Sequence, residues 1–129
     1  MLTDRISTFV SGVRTADIPQ DALDKARMGI TDFIGVAVAG SREESGRLIR
    51  AYGNRMGGVA EARIIATDQK TSPEMAALVN GTMGHALDYD DMSVSPISHP
   101  SVFLAPAILA VGESIGASGL EALAAYVVG

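Results

Sequence analysis

The sequence predicts an all-α protein of about six helices, and its apolar spacing and composition support this prediction. Segments rich in Ala and Gly carry apolar residues at i, i+3 and i+4 spacing along most of the chain. Aromatic residues make up only 5% of the sequence and Trp is absent, which favours closely packed helices over a β-sandwich. One passage alone, residues 62–66, has a β-like composition. At 129 residues the chain can bury a core as one domain or as a part of one.

The first half of the chain contains start and stop signals for three helices. Thr3 is a candidate N-cap of the first helix, and Pro19 is expected at the first helical position of the second. The third helix opens at Ser41 or the acids after it and ends near Gly57-Gly58. The later part of the second helix is apolar nearly all round, so we expect burial there on more than one side. The predicted apolar faces are Ile6, Phe9, Val10 and Val13, then Leu23, Ala26, Ile30, Phe33, Ile34 and Ala37, then Leu48, Ile49 and Tyr52.

The second half contains signals for three more helices. A cap, a proline and an acid follow one another at residues 72–74, which is a strong start signal for a fourth helix. Pro100 begins a fifth helix after a loop at residues 93–98 that includes Pro96, and a capping box at residues 118–121 begins a sixth. The apolar residues predicted for the core here are Met75, Leu78, Val79 and Met83, followed by Phe103, Leu104, Ile108, Leu109 and Val111.

Charge is distributed unevenly along the chain. The net charge is −5, yet all ten Lys and Arg lie in residues 1–70 with nine acids, while residues 71–129 hold six acids and no permanent cation. Because neutralising phosphates requires Lys or Arg, the second half is a poor nucleic-acid surface, and we expect no nucleic-acid partner. The absence of Cys excludes disulfides and thiolate chemistry.

No stretch of the sequence resembles a signal peptide or a membrane span. The N-terminus is polar from its third residue, and the longest apolar run, residues 102–111, has about half the length that a bilayer span needs. We therefore expect a soluble, cytoplasmic protein without a membrane partner.

The chemistry of the chain is concentrated between its two histidines. His85 and His99 enclose Asp88, Asp90 and Asp91. His85 and Asp88 are three positions apart, so on a helix they share a face and can form a hydrogen bond. Crowded carboxyl groups in a partly buried pocket can exchange protons near neutral pH. This stretch is therefore the candidate acid–base site.

The second histidine stands just before the N-terminus of the fifth predicted helix. There the free backbone N–H groups of Ser101 and Val102 are placed to receive a substrate carboxylate, with the His99 imidazole beside them. An acid–base pair beside an anion site suits proton abstraction alpha to a carboxylate, as in dehydration, decarboxylation or epimerisation.

Other interpretations of the same residues remain open from spacing alone. A solvated Asp-rich loop, with Asp88 or Asp90 capping a helix, is the default for such a run. A metal site is the second alternative, because clustered carboxylates suit Mg²⁺ or Mn²⁺; its ligands would be His85, Asp88, Asp90 and Asp91. A histidine before a proline, as at His99, is more often a capping residue than a catalyst.

Long motifs in the chain resemble those of the MmgE/PrpD family. The stretch NGTMGHALDYDD at residues 80–91 is followed by HPS at residues 99–101 and by an Ala/Leu-rich helix. Upstream, TDFIGVAVAG at residues 31–40 is similar to a helix motif of the same family. The family includes 2-methylcitrate dehydratase, cis-aconitate decarboxylase and iminodisuccinate epimerase. The resemblance covers nearly the whole chain and implies the family's all-helical domain.

The resemblance also implies roles for individual residues. The family's catalytic aspartate and histidine fall on Asp88 and His99, and we assign His85, Asp91 and Ser101 to substrate binding. The implied chemistry acts on small di- or tricarboxylates without a metal or other cofactor, and the resemblance implies homo-oligomerisation. Where decarboxylases of the family place a threonine after the Asp-Asp pair, this sequence has Met92, whose side chain hydrogen-bonds poorly. The substrate and the reaction therefore stay open.

The resemblance further suggests that the chain is the N-terminal part of a larger protein. Members of the family are longer, have a second domain, and draw substrate-binding lysines and another histidine from downstream sequence. We therefore expect residues 1–129 alone to be catalytically incompetent. The alternatives are a non-catalytic helical module for oligomerisation or interaction and, third, a carboxylate-rich metal-binding domain.

Overall fold

Six α-helices dominate the computed structural model, which describes residues 1–94 and 97–129. A 3₁₀ turn and one two-stranded hairpin are the other regular elements among these residues, so the predicted all-α class is confirmed. The elements are α1 (Leu2–Gly12), the 3₁₀ turn (Thr15–Asp17), α2 (Gln20–Gly40), α3 (Glu44–Met56), β1 (Ala62–Arg63), β2 (Lys70–Thr71), α4 (Pro73–His85), α5 (Pro100–Ile115) and α6 (Gly119–Val128).

The core lies where α2, α4 and α5 meet, with α4 at its centre. Phe33 of α2 and Val79 and Met83 of α4 are fully buried there. Gly84 allows the close approach of α2 to α4, because a Cβ at this position would overlap the Phe33 ring. The tight packing fixes the C-terminal end of α4 against the N-terminal end of α5, which is where both histidines lie.

A small hairpin covers one side of α4 and α5. Strand β1 pairs with β2 in antiparallel register, and only the first of these strands lies in the passage that the sequence predicted to be β-like. Asn80, which precedes a glycine and would ordinarily mark a turn, lies inside α4. Its side-chain amide donates to the Arg63 carbonyl and its oxygen accepts from the Ile65 N–H. These two bonds satisfy backbone groups of the hairpin that its short ladder leaves unpaired.

Several sequence predictions about element ends need correction by a few residues. Helix α1 begins at Leu2 with Met1 as N-cap, not at a Thr3 cap, and Pro19 is the N-cap of α2 rather than its first residue. The start signals at residues 72–74 and 118–121 are confirmed, with Ser72 and Ser118 as N-caps. In the predicted loop, Ser93 and Ser98 pair through their backbones, while residues 95 and 96, including Pro96, lie outside the described residues.

Some predicted core side chains are exposed. The exposed fractions of Phe103, Val111 and Leu78 are 67%, 51% and 49%, because each lies on a helix face that no other described element covers. The later part of α2 likewise keeps Ile34 and Val38 exposed, so it is not buried on all sides. Helix α1 buries none of its residues. Among the described residues, no helix combines the length and the apolar character needed to cross a bilayer.

Candidate active site

The two histidines stand at facing helix ends. His85 is the last residue of α4, and His99 is the N-cap of α5. Their imidazoles meet edge to face, with ring centroids 4.9 Å apart and an interplanar angle of 69°. The sequence separation of these residues gives no hint of this contact. It depends on α4 packing against α5.

Asp90 lies between the two imidazoles and links them. Its side chain has no exposure to solvent, and its Oδ1 is 2.9 Å from Nδ1 of His85. Its Oδ2 is 3.2 Å from Nδ1 of His99. The second contact is a close approach and not an aligned hydrogen bond, because the buried His99 Nδ1 has no hydrogen-bond partner in the described structure. The sequence prediction gave Asp90 no catalytic or substrate-binding role and named it as a ligand only in the metal alternative.

Asp88 takes a different position from the one that its spacing suggested. Helix α4 ends at His85, and Asp88 has the left-handed φ of 50°, so the predicted helical pair between these two residues does not form. The carboxylate of Asp88, 78% exposed, points instead toward His99, with Oδ1 3.8 Å from Nε2. His99 therefore has one carboxylate near each of its ring nitrogens.

Asp91 and Ser101 are bound to each other behind the histidines. The Ser101 N–H donates to Asp91 Oδ1 at 3.0 Å, and the Ser101 hydroxyl donates to Oδ2 at 2.7 Å. Ser101 is completely buried. The backbone N–H of Ser101, which the sequence predicted to be free for a substrate carboxylate, is therefore already occupied. The substrate-binding roles assigned to His85, Asp91 and Ser101 stay predictions.

A cavity of 390 Å³ opens beside the histidines, between α4 and α5. His85, His99 and Thr82 contribute its polar groups, and the rest of its wall is apolar. The remaining lining residues are Ala77, Leu78, Gly81, Val102, Phe103, Pro106 and Ala107. A small molecule seated here would meet the two imidazoles at one end of an otherwise apolar groove.

Four side chains come close enough to hold a cation. One ligand atom each from His85, Asp88, Asp90 and His99 can be chosen so that all lie within 4.8 Å of one another. Asp91, which the metal alternative included, is instead engaged with Ser101, and His99 belongs to the group in its stead. The geometry thus permits two chemistries, which are proton transfer between carboxylates and imidazoles and the binding of a small cation.

Together, the fold and the site define a helical domain with a cluster of histidines and aspartates at the junction of two helices. The family model of the MmgE/PrpD N-terminal domain matches residues 4–129. The chain therefore belongs to the MmgE/PrpD family, as its motifs suggested.

Similar curated proteins include several cis-aconitate decarboxylases. The chain is 26% identical to the human cis-aconitate decarboxylase and 29% identical to that of Aspergillus terreus, covering 99% of this chain and 27% of either relative. It is 31% identical to the cis-aconitate decarboxylase-like protein oryM of Aspergillus oryzae, over 99% of this chain and 28% of the relative. The chain thus spans little more than a quarter of the length of these relatives.

Proposed function

We propose that the chain provides the acid–base half of a lyase or isomerase site for small di- or tricarboxylates. The reaction begins with removal of a proton from the carbon alpha to a carboxylate, as in a 2-methylcitrate dehydratase-like enzyme. Asp88 and His99 are the proposed catalytic residues. The observation that carries this proposal is the position of His99, which has Asp90 and Asp88 near opposite ring nitrogens at the edge of a cavity of ligand size.

The proton pathway follows from the hydrogen-bonding capacity of the groups. An ionised carboxylate only accepts hydrogen bonds, so Asp90 favours the proton on Nδ1 of His85, its hydrogen-bond partner. Its negative charge, 3.2 Å from Nδ1 of His99, favours a proton on that nitrogen as well. The Nε2 atom of His99 is then free to exchange a proton with the substrate or with Asp88. In a dehydration, either Asp88 or His99 takes the proton from carbon, and the other of these two residues protonates the departing hydroxyl.

The proposed site has no permanently positive side chain from residues 71–129 to neutralise the substrate. A tricarboxylate brings negative charge to a site that already holds Asp88, Asp90 and Asp91, and residues 71–129 contain no Lys or Arg. Uncompensated like charges oppose binding at close range. We therefore propose that Lys or Arg side chains from outside residues 71–129 complete the site.

Met92 is the reason why we propose proton abstraction and not one particular reaction. Its side chain is 63% exposed next to the Asp-Asp pair, and a thioether is only a weak acceptor. A decarboxylase resembling the family pattern would have a threonine hydroxyl at this position. Dehydration and epimerisation therefore stand beside decarboxylation as candidate reactions.

The test is a chimera in which this chain replaces the matching N-terminal segment of the Aspergillus terreus cis-aconitate decarboxylase. Turnover of tricarboxylates, and exchange of their alpha protons with D₂O, are followed by ¹H NMR. We expect exchange or turnover that falls at least about 100-fold in the Asp88→Asn and His99→Gln variants, since each removes a proton-transfer group. Asp68→Asn, at an acid of the hairpin loop, is the matched control. If the chimera is folded and active but its rate is unchanged in the Asp88→Asn and His99→Gln variants, the proposal is wrong.

Cation binding is the second candidate function, and the compact group of His85, Asp88, Asp90 and His99 favours it. Calorimetric titration of the chain with Mg²⁺, Mn²⁺ and Zn²⁺ separates it from proton transfer. Saturable binding that disappears in His99→Gln supports a cation site. The absence of saturable heat at millimolar metal supports the acid–base proposal.

A further inference from the structure

We infer that Tyr126 of α6 and Gly29 of α2 are positioning residues for His99, acting through a buried chain of hydrogen bonds that runs from Tyr126 through Ser101 to Asp91. The inference rests on the proposed role of His99, although the contacts that carry it are separate from the catalytic pair. Tyr126 lies 27 positions after His99 in the sequence and on another helix.

The direction of this chain of bonds is fixed by the number of protons available. The Ser101 hydroxyl has a single hydrogen, which it donates to Asp91 Oδ2 at 2.7 Å. The Tyr126 hydroxyl, which is in hydrogen-bond contact with Ser101 Oγ, must therefore be the donor in that contact. The backbone N–H of Ser101 donates to the other Asp91 oxygen. Every described polar atom along this path thus has a defined partner, as a buried path requires.

Gly29 provides the space for the Tyr126 hydroxyl. A Cβ built on Gly29 would overlap that hydroxyl oxygen and would lie 3.3 Å from Ser101 Oγ. Gly35 lies on the same helix, and a Cβ there would meet nothing within 4 Å. The hydrogen bond between Tyr126 and Ser101 therefore requires a residue without a side chain at position 29.

The chain of bonds anchors both backbone segments that form the centre. Asp91 directly follows Asp90, and Ser101 lies two residues after His99 at the start of α5. The carboxylate of Asp91 also caps the α5 N-terminus from outside the helix, where its negative charge is favourable. Because His99 Nδ1 has no aligned hydrogen bond of its own in the described structure, the position of the imidazole depends on these backbone anchors.

The experiment compares conservative variants of the 129-residue chain by NMR. Tyr126→Phe removes only the hydroxyl, and Tyr52→Phe, in α3, is its control. Gly29→Ala adds one methyl group at the contact, and Gly35→Ala is its control. His85 and His99 are the only histidines, so a His85→Gln spectrum assigns both rings. Circular dichroism establishes that each variant is folded.

We expect Tyr126→Phe to speed exchange of the Ser101 amide about tenfold, as for the loss of one buried hydrogen bond. The His99 ring signals should move in Tyr126→Phe and Gly29→Ala and stay in place in both controls. Unchanged His99 signals and Ser101 exchange in folded Tyr126→Phe would overturn the inference. If that variant fails to fold, Asp91→Asn tests the other end of the path by the same signals. Since none of these readouts needs turnover, an inactive chimera would count against the proposed function and not against this inference.

Discussion

At the scale of single residues, Asp90 is the most constrained carboxylate of the site. Its side chain has no exposure to solvent, whereas that of Asp88 keeps 78%. Withdrawing a carboxylate from water costs free energy unless charged or polar partners compensate. The two imidazoles are those partners, so Asp90 and the histidines stabilise one arrangement jointly. Removing the charge should affect both rings at once.

Asp90→Asn is therefore expected to lower the free energy of unfolding by roughly 1–3 kcal/mol, the usual range for charge-assisted hydrogen bonds in buried sites. The amide replaces one of the two carboxylate oxygens by an NH₂ group, which only donates, so either the hydrogen bond with His85 or the contact with His99 is lost. Urea unfolding at pH 7 measures the effect. The control, Asp88→Asn at an exposed carboxylate, should stay within about 0.5 kcal/mol. Equal effects of the two substitutions would show that burial of Asp90 carries no special energetic role.

Much of the composition of the site could be predicted from the sequence, but its pairing could not. The histidines and acids stand out as the reactive groups of their half of the chain, and the motifs select Asp88 and His99. Helical spacing then paired His85 with Asp88, which fails because α4 ends at His85 and Asp88 has a positive φ. The sequence named Asp90 only as a possible metal ligand or helix cap, and its place between the two imidazoles became visible only in the structure. The burial of Asp90 depends on how α4 packs against α5, and the local sequence around three aspartates gives no indication of this packing.

At the scale of elements, Glu113 of α5 fixes the hairpin to the core. Its carboxylate accepts the Arg63 N–H at 2.7 Å and the Lys70 ammonium at 2.7 Å, one from each strand. The hydrogen bond with Lys70 is the main cause that holds the pKa of Glu113 below its ordinary value of 4.5, with burial acting in the opposite direction and Arg63 adding to the lowering. A two-residue ladder depends on such outside contacts for its stability.

The lowered pKa of Glu113 predicts the sign of a pH effect. The ionised form is favoured in the folded state, so its contribution to stability is complete above about pH 4.5 and is lost as pH falls through the lowered folded-state value. Glu113→Gln should lower the free energy of unfolding at pH 7 by less than about 1 kcal/mol, because the ion pair is partly exposed and screened. It should also make the free energy of unfolding depend less on pH in the acid range. Urea midpoints between pH 2 and pH 7 measure both effects. Glu61→Gln, an exposed acid beside the same hairpin, should leave the curve unchanged.

Element starts were predicted better than element partners. The start of α4 carries a proline in its first turn and the acid Glu74, and the start of α6 carries a capping box of Ser118 and Glu121, so local chemistry favours these two starts. Each strand of the hairpin has only two paired residues. Distant side chains support them, since Asn80 bonds to the backbone of Arg63 and Ile65 and Glu113 binds Arg63 and Lys70. Such support leaves no alternating pattern in the sequence. Phe103 and Val111 of α5 were predicted to be buried but are exposed. The reason is related, since an apolar helix face does not by itself show which element packs against it.

At the scale of the whole molecule, apolar surface and charge both point to interactions beyond the described contacts. Helix α1 exposes Ile6, Phe9 and Val10 at 54%, 59% and 51%, and α5 adds Phe103 and Ile115. Exposed apolar faces of this kind are typical of surfaces that meet another polypeptide, which supports the proposed homo-oligomer. The charge distribution supports the same conclusion, because the proposed polycarboxylate site requires positive charge and residues 71–129 contain no Lys or Arg.

The lack of Lys and Arg in residues 71–129 leads us to predict that the 129-residue chain alone turns over no di- or tricarboxylate. If the site transfers protons as proposed, we expect repulsion from Asp88, Asp90 and Asp91 to oppose binding of a polyanionic substrate. ¹H NMR of cis-aconitate, citrate and 2-methylcitrate incubated with the chain in D₂O measures both turnover and exchange at the alpha carbon. Measurable catalysis by the chain alone would refute the argument from charge.

A gain-of-binding variant tests the same argument from the opposite direction. Thr82 lines the cavity beside both histidines, so Thr82→Lys places an ammonium group where the substrate carboxylates are proposed to lie. At low salt we expect about tenfold tighter binding of a tricarboxylate, as for one added charge near a partly screened site. Thr67→Lys, in the hairpin loop, adds the same net charge away from the cavity and should have little effect. Because added salt screens exposed charges, the gain should shrink toward 1 M salt. An equal gain from both lysines would mean that net charge alone attracts the substrate and that the histidine cavity does not bind it.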